Sequence, residues 1–267
     1  FFNSKNYIEQ TIISILNQTF PFYEILIIDD GSKDEGALEK LEEIKKLDDR
    51  IKIFHKENEG LAATRDFGAS KSSNSCKYLM FIDDDDLIEP TFLECAYWTL
   101  ETNKDAAWAY ADSVGFGGQQ YLWNKYFNSD KLKKVNELIS QALIRKSDFE
   151  LVNGYELREK AVNEDWNFWL KLLAKGKGPV HMSFYGQWYR RKKDGELKRA
   201  NENKQRALEI ITETASKINQ KVDAIQYPTY KYNYDILPEN VEKFIIPKKE
   251  EKTNKIILLF IIPWMVT

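Results

Sequence analysis

The sequence predicts an α/β fold, a parallel doubly wound sheet with helices on both faces. Three observations carry that prediction. Short β-branched runs alternate with amphipathic helical stretches through the first 114 residues or so, and no internal repeat is visible. Two of the runs end in acidic turns, Asp29-Asp30-Gly31-Ser32 and Asp83-Asp84-Asp85-Asp86. The 267 residues, 43% of them hydrophobic, suffice for one sizeable core, so one domain with a tail is expected.

The elements follow in order. Tyr7, Ile8, Ile12, Ile15 and Leu16 recur at helical spacing and predict a helix over 7–16, with Asn3 or Ser4 as its cap. Glu24-Ile25-Leu26-Ile27-Ile28 is too short and too β-branched for a helix and reads as a strand. Leu38, Leu41, Ile44 and Leu47 line one face of a helix over 36–47, ahead of a strand over 51–54. Gly60 opens a helix over 60–70, a third strand covers 77–82, Pro90 opens a helix over 90–100, and a fourth strand covers 107–114.

The middle is less regular. Residues 115–118 read as a loop, Leu143-Ile144 as a short strand, and 163–174 as a helix capped by Asn163 with Trp166, Trp169, Leu170 and Leu173 turned into the core. Residues 184–189 are strand-like, 190–199 form a basic loop, and 201–218 a mixed-charge helix. Tyr, Pro and Asn crowd 227–238, and 248–255 is a charged linker.

Composition narrows the function. A net charge of −3 gives no general field to attract nucleic acid or an anionic membrane, so an anionic ligand must be met by local groups. Cys76 and Cys95 make no disulfide framework and fit reduced thiols in a cytoplasmic setting, and His55 and His181 are too isolated to propose as metal ligands. The longest apolar run, 256–266, falls short of the ~18 residues a span needs and carries Pro263. No signal peptide is recognisable, and a start at Phe1 in loop-like residues reads as a piece of something longer.

The acidic turns point to chemistry. In parallel sheets ligands bind beyond the carboxyl ends of the strands, where both clusters fall. Four adjacent aspartates repel one another and cannot be buried bare, so a cation is expected at Asp83 to Asp86. Mg²⁺ or Mn²⁺ suits hard oxygen ligands and shares its shell with substrate phosphates. A solvated acidic turn leading into the helix at Pro90 remains the plainer alternative.

Several motifs then occur in order: Tyr7-Ile8-Glu9 through Ser14-Ile15-Leu16-Asn17-Gln18-Thr19, Ile28-Asp29-Asp30-Gly31-Ser32-Lys33-Asp34, and Asn58-Glu59-Gly60-Leu61-Ala62-Ala63-Thr64-Arg65. Phe81-Ile82-Asp83-Asp84-Asp85-Asp86, Gly154-Tyr155 and Glu164-Asp165 complete the set. Each is weak alone; together, over nearly everything from Phe1 to about Arg199, the chain resembles the family-2 glycosyltransferases with the GT-A fold. The resemblance implies a mostly parallel central sheet, a nucleotide-sugar donor, most simply a UDP-sugar, and a glycan or lipid-linked glycan acceptor. It implies Asp165 as the general base of an inverting transfer, and Asp30, Arg65, Asp83, Asp29 and Arg190 on the donor side, with Asp29 supporting its turn. Asp85, aided by Asp83, would hold Mn²⁺ or Mg²⁺; Asp84 fills the variable position and Asp86 orients the loop. The basic loop from Arg190 would close over the diphosphate. The setting implied is bacterial polysaccharide assembly, in the cytoplasm or at the inner face of the membrane, with room for peripheral membrane association and a homodimer.

The chain departs from the family at both ends. Only Phe1-Phe2-Asn3 remains of the usual first strand, which sits mid-sheet, whereas 255–267 reads as an unattached apolar strand. The expected organisation is a GT-A domain over 1–219 with its first strand missing or supplied from elsewhere, a helix exit and linker over 220–254, and over 255–267 the first strand of a truncated GT-B domain. Strand 256–262 is expected to fill the vacant slot, from its own chain or a neighbour's. Two other functions fit less well: a donor-binding module without chemistry, and an aspartate-based phosphatase or phosphotransfer domain, the phosphatase lacking its expected threonine after the second aspartate and a receiver domain being much shorter than this chain.

Overall fold

The structure, a computed structural model, describes residues 1–124, 126–138, 140–155, 163–192, 204–226 and 256–262. The apolar runs form strands buried along their whole length: β1 (Tyr23–Asp29) at all seven positions and β3 (Tyr78–Asp83) at all six. Such strands have no solvent face, so both sides must be covered by helices. Alternation divides the side chains between two cores. Ile25, Ile27, Met80 and Ile82 point to one, with Ile8 and Ile12 of α1 (Ile8–Leu16), Leu41 of α2 (Glu35–Lys45) and Phe92 of α4 (Phe92–Thr102). Leu26, Ile28, Leu79 and Phe81 point to the other, with Ala62 of α3 (Leu61–Lys71), Leu132 of α5 (Ser129–Leu132), Phe149 of α6 (Lys146–Leu151) and Trp169 of α7 (Glu164–Ala174). Trp166, Leu170 and Leu173 are buried there as expected, and Trp169 stacks on Trp108 with ring centroids 5.0 Å apart.

The path through the sheet runs β2-β1-β10-β3-β7-β5-β8-β4, with β2 (Ile51–His55), β4 (Leu87–Ile88), β5 (Ala106–Gly117), β7 (Leu143–Arg145), β8 (Gly178–Arg191) and β10 (Ile256–Ile262). Two short strands lie off it, β6 (Tyr121–Trp123) on β5 and β9 (Ile225–Gln226) on β8. The pairs β1·β2, β1·β10, β10·β3, β5·β8 and β8·β9 are parallel. The sheet is nevertheless mixed, because β7 runs antiparallel to β3 and β5, and β4 antiparallel to β8. The slot between β1 and β3 holds β10 of the same chain, with Tyr23 opposite Ile256, Leu26 opposite Phe260 and Ile262 opposite Asp83. Its ladder bonds satisfy the facing backbone edges of β1 and β3.

Several local expectations differ. Neither Asn3 nor Ser4 caps α1, whose N-cap Tyr7 makes no side-chain bond; Asn3 instead accepts from the amides of Lys33 (2.9 Å) and Asp34 (3.0 Å). The stretch 115–117 is not loop but the end of β5, drawn out by its pairing with β6 and β8. Arg190 and Arg191 close β8 rather than opening a basic loop, while 193–199 lie outside the described residues, as do 227–238 and 248–255. The last mixed-charge helix is α8 (Lys204–Ser216), where Thr214 donates to Asn167 of α7 at 2.9 Å. Among the described residues no helix is long and apolar enough to cross a membrane.

Candidate active site

Parallel β1 and β3 end at one edge of the sheet, so both acidic turns share it. The first turn folds onto residues 56–60. Asp29 accepts from the Ser32 amide at 3.0 Å and contacts His55 Nδ1 at 2.9 Å. Asp30 Oδ1 accepts from Lys56 Nζ at 2.7 Å and the Glu59 amide at 3.1 Å, and its Oδ2 from the Gly60 amide at 2.9 Å. Gly60 has φ +89° and Gly31 φ +80°, where an added Cβ would lie 3.0 Å from the Asn58 amide nitrogen; glycine allows both the backbone and the approach. The turn thus fixes where α3 begins.

One turn into α3, Arg65 is 1% exposed. Its Nη1 donates to Glu164 Oε1 at 2.6 Å, its Nη2 to Asp83 Oδ1 at 3.2 Å, and the guanidinium lies 5.2 Å from the centre of the Tyr155 ring. Where the sequence suggests a side chain reaching a nucleotide, the structure places a buried tie between three elements: α3, the end of β3 and the first turn of α7.

The second turn is short of positive charge. Asp86 N donates to Asp83 O at 3.2 Å and closes it. Asp83 shares Arg65 with Glu164. Asp84 Oδ2 is buried without a hydrogen-bond partner among the described residues, while its carbonyl accepts from Thr11 at 3.0 Å. Asp85 meets Lys192 Nζ at 2.6 Å, and Asp86 accepts from Gln141 Nε2 at 2.6 Å and the Arg190 amide at 2.7 Å. Burial pushes the Asp83 carboxyl up to about 6 and that of Asp84 up to about 7, and raises Asp86 well above the usual carboxylate range.

This donor set fits a hard divalent cation. It offers an orphaned carboxylate oxygen at Asp84 and, at Asp85, a carboxylate already holding a stand-in cation. Among the described residues no three acidic, His or Cys side chains form a complete cage, so an ion there would share its shell with water or phosphate.

Asp165 sits half-buried in the first turn of α7. Its Oδ1 accepts from the Trp166 amide at 2.7 Å and Asn136 Nδ2 at 3.2 Å, and burial raises its pKa. Asn163 does not cap the helix with its side chain; it turns the chain in at φ +78°. The Trp166 indole donates to Leu132 O at 2.6 Å and anchors the turn. Glu164, next to Asp165, is the residue Arg65 ties to Asp83.

Arg190 lies at the same edge, with its side chain bonded to the turn and to α1. Its Nε donates to Asp85 O and its Nη2 to Gln10 Oε1, both at 2.7 Å, with the guanidinium between the rings of Tyr7 (4.4 Å) and Phe116 (4.3 Å). Lys56, Asn136 and Gln141 also stand at the site and carry no signal in the sequence. Lys192 alone carried a signal, as part of the Arg190-Arg191-Lys192-Lys193 run.

The comparisons with known proteins agree on the fold. The model of "Glycosyl transferase family 2" matches residues 1–166. An uncharacterized glycosyltransferase of Haemophilus influenzae is 31% identical over 196 residues, covering 66% of this chain and 58% of that protein. The matched stretches span only 14% to 26% of the lengths of three other curated glycosyltransferases. Among solved structures, S. aureus TarS 1–349 in complex with UDP-GlcNAc is similar at a TM-score of 0.68 and 17% identity, over 81% of this chain and 64% of that one. The mannosyltransferase PcManGT of Pyrobaculum calidifontis, in complex with GDP-Man and Mn²⁺, is similar at a TM-score of 0.58 and 13% identity, over 73% and 56%. The fold is GT-A, and the chain belongs to glycosyltransferase family 2.

Proposed function

We propose that the chain is the donor-binding and catalytic part of a metal-dependent inverting glycosyltransferase, taking a sugar from a UDP-sugar to a hydroxyl of a glycan or lipid-linked glycan. The observation that carries this reading is the link between the cation-poor run at β3 and the carboxylate at the start of α7, made by Arg65 through Asp83 and Glu164. The nucleotide sugars in the TarS and PcManGT complexes, and the Mn²⁺ of the latter, support it. On this reading 1–219 is the transferase domain, with 256–262 completing its sheet.

Asp85 would hold Mn²⁺ or Mg²⁺ with Asp83 behind it, and the ion supplies positive charge to the leaving diphosphate. The protein's own groups do the rest. Asp30 Oδ2 accepts from the Gly60 amide among the described residues, and a carboxylate oxygen has a second acceptor site that a base N–H would use. Asp29 holds its turn. Arg65 keeps α7 in register with β3, which fixes where Asp165 stands relative to the anomeric carbon. Among the described residues the hydrogen bonds given to Asp165 fall on Oδ1, and on this reading Oδ2 takes the acceptor proton. As that proton leaves, the acceptor oxygen bonds to the anomeric carbon, the bond from that carbon to the diphosphate breaks, and the nucleoside diphosphate departs with the electron pair. A raised pKa strengthens Asp165 as a base.

The test is a panel of nucleotide sugars with Mn²⁺, assayed for transfer and donor hydrolysis with wild type and Asp165→Asn. Turnover of one donor that the variant loses while still binding UDP supports the reading; binding without turnover of any donor favours a non-catalytic module.

A further inference from the structure

Asp165 Oδ1 is held at two points that differ in kind. One is the amide of Trp166, its neighbour along the chain, at 2.7 Å; the other is Asn136 Nδ2, at 3.2 Å, from the segment between α5 and β7. A carboxyl group held by one bond can still turn about it, so the second point fixes its plane. Asn136 is itself fixed. Its Oδ1 accepts from the Leu138 amide at 3.3 Å, and the Trp166 indole, donating to Leu132 O at 2.6 Å, ties the start of the segment to α7. The two partners also set which way the Asn136 amide lies, since a carboxylate oxygen accepts and a backbone amide donates.

We propose that Asn136 is a positioning residue for the base, holding Oδ1 of Asp165 so that Oδ2 meets the acceptor hydroxyl. The proposal rests on Asp165 as the base and adds a residue to its control. A neutral amide suits the task. The carbonyl oxygen of a protonated carboxyl group is still an acceptor, so the bond to Oδ1 persists when Oδ2 takes the proton. A bond to the ionised form also favours that form, so Asn136 restrains the proton affinity that burial raises. The charged groups around Asp165 are Arg65 from α3, Asp83 from β3 and Glu164 beside it on α7, with the Tyr155 phenol near them. Glu137, next to Asn136, is paired with Lys131. All of these stay when Asn136 is replaced, so a changed pH profile reports the lost bond.

The experiment measures kcat against pH, and KM for the donor, with Mn²⁺ and a UDP-sugar that wild type turns over. It uses wild type, Asn136→Leu, Asn136→Gln and Asp165→Asn, each first checked for a cooperative melt and for UDP binding by calorimetry; Asn136→Ala replaces Asn136→Leu if the latter fails to fold. Asn136→Leu keeps the bulk and loses both hydrogen bonds. It should lower kcat about 10- to 100-fold with donor KM little changed, and move the acid limb of kcat to higher pH, because the ionised base has lost a donor. Asn136→Gln keeps the amide and should recover part of kcat, with the limb returning towards its wild-type position. A limb that does not move in Asn136→Leu, or a loss carried by KM rather than kcat, overturns the proposal. Asp165→Asn separates the two claims: if it keeps the wild-type kcat, or if wild type turns over no UDP-sugar, the base reading fails and Asn136 has no base to position. If Asp165→Asn loses activity while Asn136→Leu keeps the wild-type kcat and limb, only the role of Asn136 fails.

Discussion

Asp29-Asp30 and Asp83 to Asp86 are the same residue type at the ends of two strands in one sheet, both buried, yet their surroundings are opposite in kind. The first pair is supplied with the amides of Ser32, Glu59 and Gly60, the ammonium of Lys56 and a His55 ring nitrogen. Among the described residues the second run pairs with Lys192 and a shared Arg65, with Arg190 and Gln141 serving Asp86 and the Asp85 carbonyl, and burial still pushes three of its four carboxylates up. A buried carboxylate with amides and a cation around it is a fastener. One without enough of them is unfinished until a cation arrives.

The contrast can be broken most forcefully at Arg65. Arg65→Ala leaves Asp83 and Glu164 buried without their cation and should cost about 3–5 kcal/mol, read as a large fall in Tm. Adding Glu164→Gln to that variant should restore part of the loss, since one stranded charge is gone. Asp165→Asn should lower kcat by about 10²- to 10⁴-fold with UDP binding retained. Asp30→Ala removes the acceptor of Lys56, Glu59 and Gly60 and should cost about 1–3 kcal/mol, yet the stabilisation by Mn²⁺ should persist. If the metal effect vanished with Asp30 as well, the two turns would not be the separate devices described here.

The smallest effects concern pH. The pKa of Asp165 is raised in the folded state, so its burial is most favourable at acid pH, where it is protonated, and that advantage is lost as pH rises through the folded value. Asp165→Asn should therefore melt slightly higher than wild type at pH 8, with the gap closing towards pH 4. As a base, Asp165 should also place the acid limb of kcat above the ordinary carboxylate range, with activity rising as pH increases through it.

Much of this fold was legible in sequence because burial on both faces leaves continuous apolar runs, as in Ile25-Leu26-Ile27-Ile28 and Tyr78-Leu79-Met80-Phe81-Ile82. The length of β5 was not. Its end is held by β6 and β8, and the glycines at 115 and 117 carry no strand signal. At the site, the placement of both acidic turns followed from the alternation, but their partners did not. Gln141 lies 55 residues from Asp86, and Glu164 lies 99 from Arg65; pairs that distant arise from the packing of elements, which no local pattern records. Nor does an arginine in the first half of a helix announce that Tyr155, Glu164 and Asp83 will close around it.

The most direct test of the unfinished acidic run is calorimetric titration of UDP into wild type and Asp85→Asn, each with Mn²⁺ and with EDTA. The account predicts that wild type binds UDP at least tenfold more tightly with Mn²⁺ than with EDTA, and that Asp85→Asn loses this difference. Equal UDP affinity with and without Mn²⁺ in wild type would contradict it.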